Sequence, residues 1–182
     1  MKAVIDASSL IILAKAKALE DLFAIYGPVA VTDAVFEEVV VEGKKRGKTD
    51  AWLIEAALEK GWLVRISLPP EEEALARNYR ARFSALGLGE CETIACAEKR
   101  GLLLLIEERK AKALAKLKGL RYTIAQTVPV EGYLMGKIAY ERAIALLEHI
   151  AVAMNTDLAV LNALKAMLTA LEEERAKGDV HG

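Results

Sequence analysis

The sequence predicts a three-layer α/β/α domain, in which helices cover both faces of a mainly parallel sheet of about five strands. Short apolar runs alternate along the chain with helical patterns, an order typical of parallel βαβ units. Most of these runs are continuously apolar, as expected of strands that are buried on both faces. The predicted strands are 2–5, 29–32, 62–67, 102–106 and 121–124.

Helical periodicity fills the intervals between the predicted strands, and glycines or prolines stand where one element should end. Gly27-Pro28 is one such break. The predicted helices are 8–25, 33–42, 50–60, 71–85, 90–100 and 108–119. We therefore predict a domain over residues 1–128 and a C-terminal helical extension over residues 129–182.

Leucines recur in the extension at spacings of three and four residues, as they do on one face of an amphipathic helix. Thr156 is the predicted N-cap of this helix. Two interpretations stay open: the leucine stripe packs against its own domain, or it pairs with a second subunit or a partner protein. The stripe consists of Leu158, Leu161, Leu164, Leu168 and Leu171.

The composition excludes several classes of protein. With 25 basic and 26 acidic residues the formal net charge is −1, which argues against a strong sequence-independent nucleic-acid binder. The longest apolar stretches fall well short of the roughly 20 residues that span a bilayer, and Asp6 interrupts any apolar signal sequence. Cys91 and Cys96 fit neither a zinc site nor an obvious disulfide, so we expect a reducing, cytoplasmic location.

Carboxylates are the candidate site residues, because the chain has only two histidines and both come late in the sequence. Asp6 directly follows the first predicted strand, and Glu107 and Glu108 directly follow the fourth. The carboxyl ends of parallel strands lie along one edge of the sheet, where ligands bind in open α/β folds. Two acidic positions from separate strands are therefore predicted to meet at this edge.

Two predicted helices bring further acids. At about 100° per residue, Glu90 falls within the apolar, inward-facing arc of its helix, whereas Glu92 and Cys96 fall on the solvent side. In the helix after the second strand, Glu37 and Glu38 lie on opposite shoulders of the apolar stripe, and periodicity does not choose between them. The helix dipole alone also favours acids near helix N-termini.

Several carboxylates at one edge of a sheet are unstable as bare anions, because like charges a few ångströms apart raise each other's pKa. The usual compensation is a hard divalent cation with oxygen ligands, Mg²⁺ or Mn²⁺. Such an ion polarises a phosphoryl oxygen and lowers the pKa of bound water, as phosphodiester hydrolysis requires.

Four motifs occur in a fixed order along the chain: Ile5 to Ser8, Val35 to Glu38, Gly89 to Ala95, and Leu104 to Glu108. In this order and spacing they resemble the PIN-domain family of metal-dependent ribonucleases, which includes the VapC-type toxins of toxin–antitoxin pairs. The likeness is strongest to a prokaryotic subgroup whose members read DASPLI, VxxEV, GExEAIALA and LLIDDRRAR. The resemblance covers residues 1–128.

The resemblance implies a role for each matched residue. Asp6 would be the first metal ligand, and Ser8 the neighbouring hydroxyl that positions the cluster. Glu38 matches the second acid of the family, and Glu90 matches the acid that opens the third motif. Glu92, in the same motif, is assigned a supporting role.

At the last motif the chain departs from the family pattern. Glu107 and Glu108 stand where paired aspartates are usual, and each added methylene moves the carboxylate outward by roughly 1.5 Å. Thr127 corresponds to a late Ser or Thr near the site. The implied metal ligands are Asp6, Glu90, Glu107 and Glu108, with Glu38 as a further catalytic acid.

Basic residues are predicted to hold RNA phosphates beside the acids. Arg109 and Lys110 begin the helix that follows the last acid pair, and Lys45 and Arg46 belong to a basic cluster in a predicted loop. A solvated surface is the alternative interpretation of each group.

The resemblance therefore implies a Mg²⁺- or Mn²⁺-dependent endoribonuclease that acts on single-stranded RNA. A toxin role, an inhibitory antitoxin partner and a homodimer are further expectations. The alternative is a catalytically weakened PIN-like module that binds RNA or a partner protein. A phosphotransfer domain is disfavoured, because Ser8 replaces the second aspartate of a haloacid-dehalogenase motif.

Overall fold

The computed structural model describes residues 1–179, so residues 180–182 of the predicted extension, with His181, lie outside the description. The strands within the described residues are β1 Ala3–Ile5, β2 Val29–Thr32, β3 Leu63–Ile66, β4 Leu103–Leu105 and β5 Tyr122–Thr123. They form one parallel sheet in the order β3-β2-β1-β4-β5. Each coincides with a predicted strand, and the predicted α/β/α class is confirmed.

Helices form the connections between the strands and most of the described chain after β5. They are α1 Ala7–Lys15, α2 Leu19–Tyr26, α3 Asp33–Phe36, α4 Gly43–Lys45, α5 Thr49–Glu59, α6 Pro70–Arg82, α7 Leu88–Arg100, α8 Arg109–Leu117, α9 Val128–Leu134, α10 Tyr140–Met154 and α11 Leu158–Asp179. A π-helical segment, Glu37–Glu42, lies between α3 and α4, and a 3-10 turn, Ala125–Thr127, precedes α9. Among residues 1–179, none of the helices has both the length and the apolar character needed to cross a membrane.

A hydrophobic core lies on each face of the sheet, because consecutive side chains of a strand point in opposite directions. On one face, Ile5 belongs to a cluster with residues of α1, α2, α5 and α10. On the other face, Val4 belongs to a cluster with residues of α6, α7 and α8. Both side chains are fully buried, which explains the continuously apolar pattern of β1.

The predicted helix 8–25 is in fact two helices. Lys17 adopts a left-handed backbone conformation with φ of 56°, and the Ala18 N–H donates to the Leu13 carbonyl at 2.9 Å. This arrangement closes α1 and turns the chain, so that α2 packs on the same core as α1. A lysine at positive φ is uncommon, and nothing in the local sequence signals it.

The predicted helix 33–42 does not stop at Gly43. It widens into the π-helical segment and continues to Lys45, so that part of the predicted basic loop is helical. The Lys45 ammonium is paired with the Glu42 carboxylate at 2.7 Å. Single π-helical turns within α-helices are frequent at functional sites, and this one carries Glu38.

Glu92 and Cys96 do not face solvent as the helical wheel predicted. Helix α7 is packed against α6, α3 and the sheet, so several of its faces are covered. Cys96 is fully buried, and the Glu92 carboxylate accepts a hydrogen bond from the Ala34 N–H at 3.0 Å, at the start of α3. The wheel prediction was wrong because it assumed a single buried face.

Helices α9 and α10 pack against the α/β core. Leu146 and Ile150 of α10 are fully buried in the core on the α1 face. The Arg142 guanidinium donates to both oxygens of the Asp21 carboxylate in α2, at 2.8 and 2.7 Å. The boundary that we predicted at residue 128 stays a prediction, but the core itself continues beyond it.

The leucine stripe of α11 packs largely on its own chain. Leu168 is fully buried, whereas Leu158 is 68% exposed. The stripe leucines that pack around Leu168 are Leu161, Leu164 and Leu171. The residue that caps the first turn is Asp157, whose Oδ1 accepts from the Ala159 N–H at 2.7 Å. Thr156 is not the cap, because its hydroxyl instead accepts a hydrogen bond from the Gln126 side chain.

Candidate active site

Asp6 stands at the carboxyl end of β1 and is only 1% exposed. Its Oδ1 accepts from the Ser9 N–H at 2.7 Å, which caps α1, and its Oδ2 accepts from the Glu107 N–H at 3.3 Å. Burial raises the pKa of Asp6, the hydrogen bonds with Ser9 and Glu107 oppose that rise, and the negative charge of Glu38 adds to it. A buried carboxylate at a strand end is thus held by backbone amides, with a second acid beside it.

Glu38 is the glutamate of the π-helical segment that lies on the Asp6 side. Its Oε2 would stand 3.7 Å from a Cβ added at Gly89 in α7, and the same Cβ would meet Val35 at 3.1 Å. Glu37 points elsewhere, with its Oε1 3.4 Å from the Arg65 guanidinium. The structure therefore distinguishes Glu38 from Glu37, a choice that helical periodicity left open.

Glu90 lies in the first turn of α7 and is half-buried. Its Oε2 accepts from the Gly87 N–H at 2.6 Å, which closes the N-terminal turn of the helix. Burial raises the pKa of Glu90, the Gly87 amide opposes the rise, and the charges of Glu108 and Asp6 add to it. The side chain therefore lies near enough to Asp6 and Glu108 for their charges to act on it.

Glu107 and Glu108 follow β4 and are both half-buried. The Glu107 Oε1 accepts from the Ala125 N–H at 2.6 Å, and the Glu108 Oε2 accepts from the Ala111 N–H at 2.8 Å, which caps α8. Burial raises the pKa of Glu107, the Ala125 amide and the Lys112 ammonium oppose the rise, and Asp6 adds to it. Each glutamate thus reaches a backbone amide with one oxygen.

We call these five residues, Asp6, Glu38, Glu90, Glu107 and Glu108, the acid cluster. None of them forms an ion pair with a basic side chain among residues 1–179. In the same residues, however, no three carboxylates already stand close enough together to hold a metal ion. The acids are near neighbours that repel one another, and a shared ion would require side-chain rotation.

The residues of the acid cluster fit a divalent metal ion by their chemistry. All the donors are carboxylate oxygens, which hard cations such as Mg²⁺ and Mn²⁺ prefer. Within residues 1–179, the buried Thr32 Oγ1 hydroxyl at the end of β2 has no hydrogen-bond partner. It lies at this edge of the sheet, where a hydrated ion or ordered water supplies such a partner.

The other predicted site residues have mixed surroundings. Ser8 is exposed, and the buried serine beside Asp6 is Ser9, which an N-cap pattern with a donor three residues on can identify. Thr127 Oγ1 lies 2.8 Å from Thr123 Oγ1, and Thr123 donates to Glu131. Sequence reasoning missed Glu131, because its partners come from distant elements: the Tyr26 hydroxyl also donates to it, at 2.5 Å.

The predicted phosphate-binding residues lie on different surfaces. Arg109 and Lys110 are both exposed, but Lys110 faces a pocket formed with Phe83 and Leu117, whereas Arg109 faces the segment after β5. Lys45 is paired with Glu42, and exposed Arg46 follows at the C-cap of α4. Of these four residues, Arg109 lines the same pocket as Lys112, whose charge acts on Glu107.

A family model described as a PIN domain matches residues 2–155, a range that extends beyond residue 128, where the resemblance seen in the sequence ends. No curated protein matches the sequence. Among solved structures, the crystal structure of PAE2754 from Pyrobaculum aerophilum is similar, with 24% sequence identity and a TM-score of 0.47. The match covers 75% of this chain and 89% of that chain.

Proposed function

Because the chain belongs to the PIN-domain family, we propose that it hydrolyses phosphodiester bonds of single-stranded RNA with the help of Mg²⁺ or Mn²⁺. PIN domains are generally nucleases and typically use divalent metal ions. The observation that supports the proposal is the acid cluster, whose carboxylates lie near enough to one another at one sheet edge for their charges to interact. None of them has a basic ion-pair partner among residues 1–179.

In this proposal Asp6, Glu90 and Glu108 hold the ion, as the resemblance implies. Glu38 joins them in place of Glu107, which the resemblance also gives as a ligand. A bound divalent ion supplies Lewis acidity at a phosphoryl oxygen and lowers the pKa of bound water. The amides of Ser9 and Glu107 fix the Asp6 carboxylate, so the strand end is ordered before the substrate arrives.

Glu107 is the proposed general base. Its Oε1 is held by the Ala125 N–H, which leaves Oε2 to take a proton from the attacking water. Burial raises the pKa of Glu107, and a base with a raised pKa accepts a proton more readily near neutral pH.

The proposal extends to the biological setting. By its resemblance to the VapC-like toxins, the protein would act as a toxin nuclease in the cytoplasm, be inhibited by an antitoxin protein, and form a homodimer. Exposed apolar side chains on α11 are compatible with such protein contacts, and they include Leu158, Val160 and Met167.

A second candidate function is a weakened module that binds RNA or a protein without efficient cleavage. The observation that favours it is the use of Glu107 and Glu108 as backbone acceptors, for Ala125 and Ala111 respectively. Side chains engaged in this way have to give up or share a hydrogen bond before they bind metal.

The experiment that separates the two candidates is cleavage of a generic 5′-labelled single-stranded RNA by wild type and Asp6→Asn, with Mn²⁺ or with EDTA. The nuclease proposal expects Mn²⁺-dependent cleavage by wild type and at least about 100-fold less by Asp6→Asn. Wild type that leaves the RNA intact, or cleavage that Asp6→Asn retains, contradicts the proposal and favours the binding module.

A further inference from the structure

A groove lies next to the acid cluster, between α8 and the chain that follows β5. We call it the α8 groove. Its volume is about 670 Å³, within the range of roughly 300–1,000 Å³ that is typical of ligand sites. The side chains that matter to its chemistry are Arg109, Lys112, Lys116, Tyr122, Thr127 and Glu131.

One wall of the α8 groove is basic. Arg109, Lys112 and Lys116 follow one another at spacings of three and four residues, so they lie on one face of α8 and extend over about 10 Å. Among residues 1–179 none of the three pairs with a carboxylate, whereas the next lysine, Lys118, lies 3.4 Å from Glu98. Three cations without an ion-pair partner along one helix face are suited in charge and spacing to contact several phosphates.

The opposite wall offers an aromatic ring and hydroxyls. Tyr122 is 39% exposed although it belongs to the edge strand β5. Thr127 contributes a hydroxyl. The acid of the groove, Glu131, already accepts hydrogen bonds from the Tyr26 and Thr123 hydroxyls, which reduces its repulsion of an anionic ligand.

The groove is continuous with the acid cluster. The Ala125 N–H, in the turn between Tyr122 and Thr127, donates to the Glu107 carboxylate at 2.6 Å. On the other wall, the Lys112 ammonium is near enough to Glu107 to oppose the rise that burial causes in the pKa of that carboxyl. Both walls therefore reach the proposed catalytic residues, so a strand in the groove would lead directly to them.

We propose that the α8 groove binds the part of a single-stranded RNA that flanks the scissile phosphate. Arg109, Lys112 and Lys116 contact the phosphates in this arrangement, and a base stacks on Tyr122. Aromatic stacking beside a basic surface is the usual means of binding single-stranded nucleic acid without sequence preference. This inference rests on the proposed nuclease function and identifies the surface along which the RNA substrate reaches the acid cluster.

The lining of the groove favours RNA over an acidic peptide. A peptide needs pockets for apolar side chains, and these are found on the other face of α8, where Phe83, Leu86 and Leu117 surround a separate pocket. Lys110 lines that pocket and not the α8 groove. Arg109 and Lys110, the two basic residues that begin α8, therefore lie on different surfaces.

Binding without cleavage tests the inference. Fluorescence anisotropy of a labelled single-stranded RNA is measured in EDTA over a series of salt concentrations. We compare wild type with Lys112→Ala/Lys116→Ala, with Lys112→Arg/Lys116→Arg, and with Tyr122→Ala. The matched control is Lys15→Ala/Lys99→Ala, since both lysines are exposed and lie at helix ends toward the opposite edge of the sheet.

We expect the alanine pair at 112 and 116 to bind RNA about tenfold or more weakly, with the slope of log K against log salt reduced by about 1.4, as two lost phosphate contacts require for a single strand. The arginine pair and the control pair should bind as wild type does. Tyr122→Ala should weaken binding of RNA and leave binding of polyglutamate unchanged.

Unchanged RNA affinity in the alanine pair overturns the inference. Polyglutamate that competes as well as RNA in wild type also overturns it, and so does RNA binding that is insensitive to Tyr122→Ala, because the surface would then be a general anion or peptide site. The nuclease proposal and the groove inference can fail separately. If RNA binds through the groove but is not cleaved with Mn²⁺, the nuclease proposal is wrong and the groove inference stands. If cleavage depends on Asp6 but the alanine pair binds RNA normally, the groove inference alone is wrong.

Discussion

The Glu107 carboxylate reaches across the carboxyl edge of the sheet and accepts a hydrogen bond from the Ala125 backbone N–H at 2.6 Å. This contact joins the end of β4 to the turn after β5, which carries one wall of the α8 groove. An aspartate at 107 would be shorter by about 1.5 Å and could not make the same bond. The glutamate that departs from the family pattern therefore has a structural role in this chain.

Glu107→Asp should destabilise the protein, because it leaves the buried Ala125 N–H without its acceptor. The expected loss in the free energy of unfolding is about 1–3 kcal/mol, measured by urea denaturation at neutral pH. Glu107→Gln is the matched control, since its amide oxygen still accepts the hydrogen bond and its loss of charge removes repulsion with Asp6. Equal stability of the two variants would show that the Ala125 contact contributes nothing.

Glu90→Gln should stabilise the metal-free protein at neutral and alkaline pH. The folded protein holds the pKa of Glu90 above its usual value, chiefly through burial, so the folded state binds a proton that the unfolded state has released. Wild type then loses stability as the pH rises from the usual glutamate pKa through the raised one. Glutamine keeps the hydrogen bond from Gly87 and avoids this loss.

Denaturation of both proteins in EDTA, from about pH 4 to about pH 8, measures this effect. The advantage of Glu90→Gln should grow as the pH rises and shrink as it falls toward the acid end. Glu59→Gln, at the end of α5, controls for the loss of one negative charge at an exposed position. An advantage that is largest at acid pH would have the wrong sign for this account.

Gly43→Ala should push the π-helical segment away from α5, because the added Cβ would lie 2.9 Å from the Ala51 Cβ. Overpacking of this kind costs about 1–3 kcal/mol in the free energy of unfolding. The control is the double variant Gly43→Ala/Ala51→Gly, which moves the methyl group across the contact. If the double variant loses as much stability as the sum of the single ones, the two positions are not coupled as the structure requires.

Chain truncation tests where the folded unit ends. A fragment of residues 1–155 should unfold cooperatively, with lower stability because Leu168 no longer covers α9 and α10. A fragment of residues 1–128 should not, because it removes Leu146 and Ile150 from the core on the α1 face. Circular dichroism during heating distinguishes the two. A cooperative transition in the shorter fragment would support the boundary predicted from the motifs.

The sequence predicts the strands and their order along the chain well, and the directions of the side chains poorly. Continuous apolar runs locate every strand, and so place Asp6 and Glu107 at strand ends. The bond between Glu107 and Ala125 joins residues that no local pattern relates, since it depends on how the chain after β5 returns to the sheet. The sequence does not predict the helix break at Lys17 either, because neither glycine nor proline marks it.

Helical wheels give a mixed result for the same physical reason. A wheel works where a helix has one buried face, and it fails at Glu92 and Cys96, because α7 is covered from several sides. The spacing of Arg109, Lys112 and Lys116 is visible in the sequence. The sequence does not predict that these residues line a groove, because the opposite wall of the groove comes from residues 122–131.

Calorimetric titration of Mn²⁺ tests most directly whether the acid cluster is a metal site. The decisive comparison is between neighbouring glutamates: Glu38→Gln removes the acid on the Asp6 side, and Glu37→Gln removes the one near Arg65. Wild type and Glu37→Gln should bind Mn²⁺ alike, and Asp6→Asn and Glu38→Gln should bind it about tenfold or more weakly. Absence of binding to wild type, or equal losses in Glu37→Gln and Glu38→Gln, would contradict a metal site built on Asp6 and Glu38.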